Sequence, residues 1–115
     1  MPVRSHRITA PRVITVCEVI DLSNADRIAR DLARPLVERT AHVVIIDLHA
    51  TLLTVTGVGV LERTQLLADR LGLRLRVVAS LPLARKVLRL TGADDTLDVH
   101  PDLTSALRAS GSPLR

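Results

Sequence analysis

The chain reads as an α/β layered domain in the order β-β-α-β-α-β-α-β-α, with a mostly parallel central sheet and helices packed against it. Three observations predict this. Residues 43–48, VVIIDL, are apolar toward both faces, as a strand must be when helices cover both sides of its sheet. From residue 23 onward, helix-patterned segments separate the strand-patterned ones, and a crossover that contains a helix is what parallel pairing requires. Gly72 fits the left-handed stop position after one helical pattern, and Gly92 ends another.

The elements follow in order. Residues 12–20, RVITVCEVI, are β-branched and alternating, and an extended segment over residues 3–8 can pair with them across the Ala10-Pro11 turn as a hairpin. Ser23 and Asn24 supply capping side chains for a first helix, in which Ala25, Ile28, Ala29 and Leu32 recur at helical spacing while Asp26 and Arg30 sit four apart on the outer face. Pro35 should end or bend that helix, because it lacks a backbone donor and crowds the preceding turn. After the central strand, residues 58–71 form a helix with Val60, Leu61, Thr64, Leu67, Ala68 and Leu71 on one side. Leu73, Leu75 and Val77 alternate with Arg74 and Arg76, the pattern of a strand wet on one face. Ser80-Leu81-Pro82 opens a third helix through Leu90; a short strand over residues 96–99 and a helix over residues 101–109 complete the domain. Ile45 and Leu61 are expected core residues.

Composition bounds what such a domain can do. At 115 residues and 47% hydrophobic content the chain fits one domain over residues 1–115, with a core of about 3–110 and a flexible tail at 111–115. The longest apolar run near the middle, Val43 to Ile46, is far short of the roughly 20 residues of a membrane span. Arg12 and Glu18 interrupt the N-terminal region before a secretory apolar core can form. A cytoplasmic location with no membrane partner is expected. The net charge of +4 raises the question of nucleic acid. The basic residues are scattered among acids, however, and the chain has no Phe, Tyr or Trp to stack on bases, so no nucleic-acid partner is expected. The single cysteine, Cys17, has no disulfide or metal-ligand companion and reads as a small buried strand residue.

The stretch from Asp47 to Gln65 carries the chemistry of interest. It runs from the carboxyl end of the central strand, through a threonine-rich loop, to a helix start where backbone N–H groups favour an anion. Gly57-Val58-Gly59 begins a dinucleotide fingerprint, but Glu62 occupies the third glycine position, and no Gly-Lys-Ser or Gly-Lys-Thr follows. Asp47 could be imagined as the acceptor of a receiver-like phosphotransfer protein, yet the acidic cluster that would hold its metal is missing. It reads instead as a strand-end residue bonded to backbone donors. His6, His42, His49 and His100 have no ligand spacing, and no serine or threonine stands in a nucleophile motif. The sequence therefore gives no catalytic residue, no metal site and no cofactor.

Three blocks in register carry a resemblance to a known family: CEVIDLSNAD at 17–26, VVIIDLHATLLTVTGVGVLERTQ at 43–65 and LARKVLRLTGADDTLDV at 83–99. Together they resemble the STAS domain of bacterial anti-sigma factor antagonists, over roughly residues 3–110. The family's second block reads DLS followed by a DSSGLGVL-type loop, and here Asp47, Leu48, Gly57, Gly59, Val60 and Leu61 fall in place, with Ile20, Asp21, Leu22, Thr91 and Gly92 in the flanking blocks. The resemblance implies a non-enzymatic module that binds an anti-sigma factor of the serine kinase type, and so regulates transcription, until phosphorylation of the loop ends the interaction. Other STAS proteins are further partners it suggests. It places partner binding on Asp21, Leu22, Ser23, Asn24, Gly57, Val58, Gly59, Glu62 and Arg63. The phosphorylation loop becomes Thr54, Val55 and Thr56.

That loop departs from the family pattern. Val55 stands where the phosphorylated serine belongs, with Thr54 at the Asp position and Thr56 at the second hydroxyl position. Valine accepts no phosphate, so either the partner is bound without this control or a neighbouring threonine substitutes. A STAS-type scaffold subunit of a larger regulatory assembly is the alternative reading, and a receiver-like phosphotransfer protein the third.

Overall fold

The sheet is built outward from β2 (Val43–Leu48), whose Val44, Ile45 and Ile46 are fully buried in the computed structural model, which describes residues 10–111. β1 (Arg12–Val16) lies parallel along one side of β2, with Arg12 opposite Val44 and Val16 opposite Leu48. β3 (Arg74–Ala79) lies parallel along the other side, and β4 (Val99–His100) pairs parallel with β3. The order in space, β1-β2-β3-β4, is therefore the order in the chain. The extended segment expected at residues 3–8 lies outside the described residues.

Side chains alternate between the two faces of β2 because the strand period is two. Val44, Ile46 and Leu48, with Leu75, Val77 and Ala79 of β3, meet α1 (Ala25–Val37), α2 (Val55–Leu71) and α3 (Pro82–Leu90) in the main core. Ile45 and Val78 point the other way, against Ala106 and Leu103 of α4 (Leu103–Gly111). The expected core places of Ile45 and Leu61 hold: both are fully buried, on opposite sides of the sheet.

Several local expectations change. β1 stops at Val16, because the chain then leaves the sheet toward α1; Cys17 is consequently exposed and off the strand, not buried on it. Pro35 does not end α1 but sits buried in its last turn, two residues before Val37. Burial of Pro35 and Leu36 offsets the one backbone bond that proline cannot make. The stop comes two residues beyond Val37, where Arg39 takes the left-handed conformation at φ 53° and the Thr40 N–H reaches back to the Pro35 carbonyl. Gly72 and Gly92 do occupy left-handed positions, at φ 71° and 78°.

β3 is not wet along one face. Arg76 is buried, with its guanidinium donating to the Asp98 carboxylate, so an ion pair replaces the expected solvent. A turn of 3-10 helix (Ala93–Asp95) follows α3 and delays the last strand to Val99–His100. The His100 Nδ1 lies 3.2 Å from the Ser105 hydroxyl, which ties β4 to α4. No helix among the described residues is long and apolar enough to cross a membrane.

Candidate functional site

The carboxyl ends of β1 and β2 deliver the chain to the starts of α1 and α2, two helices packed side by side. The entry to α1 is a closed network. The Asp21 carboxylate accepts from the Ser23 hydroxyl at 2.6 Å, the Ser23 N–H at 2.9 Å and the Asn24 N–H at 3.2 Å, while the Asn24 side chain accepts the Asp21 N–H at 2.8 Å and donates to the Val19 carbonyl at 3.0 Å. These donors, the Ser23 hydroxyl foremost, hold the Asp21 carboxyl below its ordinary pKa. Beside it, Glu18 and Arg27 form an ion pair at 2.5 Å that lowers the carboxyl's pKa and raises the guanidinium's. Leu22 projects from this rigid turn with 88% of its surface exposed.

The helix of the second segment begins at Val55, three residues earlier than the sequence pattern indicates, so the expected phosphorylation loop is the cap and first turn of α2. Thr54 is the N-cap: its hydroxyl accepts the Gly57 N–H at 2.9 Å and donates to the Ile20 carbonyl. One side chain thereby fastens the start of α2 to the segment leading into α1. Val55 follows, 75% exposed. Thr56 is half-buried, and among the described residues its hydroxyl has no hydrogen-bond partner.

The two glycines serve different ends. A Cβ on Gly57 would lie 3.1 Å from the Leu53 Cδ1 and 3.4 Å from the Ile20 Cβ, so Gly57 permits the close approach of the two segments. A Cβ on Gly59 would meet nothing within 4 Å.

Of the expected partner-binding residues, Leu22, Gly59 and Arg63 share one open groove with Thr56, floored by Ala25 and Val60 and edged by Asp26. Gly57 and Val58 are buried and shape the groove from beneath. Glu62 turns to the other flank of α2, where it accepts from the Thr96 hydroxyl at 3.4 Å. Sequence reasoning missed Asp26, taken for an outer-face companion of Arg30. The ion pairs on α1 instead join Arg27 and Arg34 to Asp31, and Asp26 borders the groove. The spacing of Thr56, Gly59, Val60 and Arg63, an i, i+3, i+4, i+7 stripe, marks the α2 wall of the groove but carries no signal for Asp26.

Asp47 is buried near the end of β2, and its carboxylate meets the His49 ring at 3.0 Å in place of the backbone donors expected of a strand end. Among the described residues no group of three or more His, Cys, Asp or Glu side chains could hold a metal ion.

The model of the STAS domain family matches residues 3–106. The chain belongs to the STAS domain family. Among solved structures, that of an anti-sigma factor antagonist from Mycobacterium paratuberculosis is similar with a TM-score of 0.76 and 28% identity, covering 87% of this chain and 85% of that one. The protein TM1081 is similar at TM-score 0.73 and 13% identity, over 89% of this chain and 82% of that one. The anti-sigma factor antagonist SpoIIAA in its unphosphorylated form is similar at TM-score 0.67 and 16% identity, over 90% of each chain. These last two share the fold. No curated protein sequence matches significantly. The STAS fold explains why the two helix starts lie together: successive parallel strands end at the same end of the sheet, and the helices that follow them begin there.

Proposed function

We propose that this protein is an anti-sigma factor antagonist: a non-enzymatic module that binds an anti-sigma factor of the serine kinase type through the groove between α1 and α2, and so regulates transcription. The observation that carries the reading is the 28% identity, over most of both chains, to an anti-sigma factor antagonist. The groove supports it. Leu22, Val55 and Arg63 offer exposed apolar and charged contacts on a scaffold fixed by the Asp21 network and the Thr54 cap.

Phosphate control is altered in this reading. Val55 has no hydroxyl, and the Thr54 hydroxyl is engaged on both its donor and acceptor sides. Thr56 alone of the three presents an uncommitted hydroxyl, and it shares its groove with Arg63. A kinase that positions residue 55 for transfer would meet Thr56 displaced by one residue, and such misplacement slows transfer strongly. The protein is thus held competent to bind, or is switched weakly at Thr56.

The test incubates the parent, Val55→Ser, Thr56→Ala and Arg63→Glu with the anti-sigma kinase encoded nearest to this protein's gene. Binding is followed by calorimetry, and phosphate is mapped by mass spectrometry after ATP is added. Binding by the parent with little labelling, gain of labelling in Val55→Ser and weakened binding by Arg63→Glu are expected. Efficient labelling of the parent that survives Thr56→Ala, or unchanged affinity in Arg63→Glu, overturns the assignment.

A further inference from the structure

α2 has a second exposed flank that the groove facing α1 does not use. Glu62, Leu66 and Asp69 stand along it two helical turns from end to end, with Leu66 57% exposed between the two acids. Glu62 is bonded to the Thr96 hydroxyl and Asp69 to the Gln65 amide at 2.9 Å, so among the described residues neither has a cationic partner.

The neighbouring α3 carries the inverse pattern. Its buried side, Ala84 and Leu88, holds it to the main core, which turns Leu83 and Leu90 outward at 56% and 74% exposure. Lys86 and Arg89 lie exposed between these leucines, and among the described residues neither has an anionic partner. One helix thus reads acid, leucine, acid over two turns, and the other leucine, base, leucine over the same length. In antiparallel contact Leu66 would enter between Leu83 and Leu90 while Glu62 and Asp69 meet Lys86 and Arg89. The two stripes lie on the same side of the sheet, because α2 and α3 both cover the face that carries Val77 and Ala79. A twofold axis can therefore satisfy both contacts at once.

We propose that this surface pairs with a second copy of the chain, α2 of each copy receiving α3 of the other, in a closed dimer that leaves the groove between α1 and α2 open. The inference goes beyond the proposed function and does not depend on it, since it needs no other partner.

Sedimentation velocity of the full chain over a wide concentration range tests it, with thermal unfolding to confirm that each variant is folded. The parent should approach twice the chain mass and fall back as salt rises from about 0.05 M to 0.5 M, because exposed charge pairs are screened over that range. Lys86→Glu or Asp69→Lys should each weaken association by about tenfold or more, since each of the two symmetry-related contacts then sets like charges at positions 69 and 86 against one another. An equimolar mixture of the two should regain it, because the mixed pair has one reversed and one native contact, both complementary. A parent that stays at one chain mass at the highest concentration, single variants that associate as the parent does, a mixture without recovery, or mass rising past two copies each overturns the proposal.

Discussion

Gly59→Ala gives the sharpest test of how α2 is built. Glycine inside a helix costs about 1 kcal/mol relative to alanine, chiefly through the backbone freedom it loses on folding. Two features could cancel that gain: a left-handed backbone, which alanine resists, or a neighbour where the methyl would stand. Gly59 lies within α2 without a positive φ, and its Cβ would meet nothing within 4 Å. The substitution should therefore stabilise the fold by about 0.5–1 kcal/mol and raise the melting temperature by about 3–6 °C. Urea unfolding measures it, with an unchanged slope showing that the unfolded state is unaffected. Gly57→Ala is the internal control: its Cβ would crowd Leu53 at 3.1 Å, so the helical gain should be offset and no increase seen. Unchanged or reduced stability in Gly59→Ala, or an equal gain at both glycines, would refute the reasoning. Since Gly59 borders the groove, the same methyl should also weaken partner binding while the fold grows more stable.

Ile45→Ala should cost about 2–5 kcal/mol, because Ile45 is fully buried against Val78 and Ala106; a denaturation midpoint equal to the parent's would remove β2 from the centre of the sheet. Thr54→Ala should cost about 1–2 kcal/mol by uncapping α2 and releasing the Ile20 carbonyl, whereas Thr54→Ser should retain most of it, as chemical denaturation of both variants will show. The Asp21 carboxyl should titrate below the ordinary aspartate value when followed by carbon NMR. A depressed folded pKa means that its stabilising contribution is complete above the unfolded pKa and disappears as pH falls through the folded one; a midpoint at or above the ordinary value would contradict the three-donor network.

The layered order of the fold was legible because burial on both faces leaves a plain trace: VVIIDL has no wet side, and two of the helices around it, α2 and α3, end at glycines in left-handed turns. The start of α2 was not. Val55, Thr56, Gly57 and Gly59 are all poor helix formers, so local propensity argues for a loop until Thr54 supplies the cap and Gly57 the close packing. Arg76 misled for a related reason. Alternation with leucine and valine indicates which side chains share a face but not what covers that face, and the acid that receives Arg76 lies far along the chain at Asp98. The groove was half legible: Leu22 and Arg63 follow from the family pattern, whereas Asp26 joins them only through the rotation of α1 against α2.

The identity of strand order and chain order also bears on how the molecule forms. Each new strand adds to the edge left by its predecessor, and none of the four described strands has to insert between strands already paired. As the chain leaves the ribosome, β2 can join β1 across α1, then β3 can join β2 across α2, with loop closures limited to one helical crossover at a time. Contacts so local in sequence favour rapid folding for a parallel sheet. The exception is α4, whose Ala106 must return across the sheet to Ile45, so the shielding of that strand's second face waits until α4 has been synthesised.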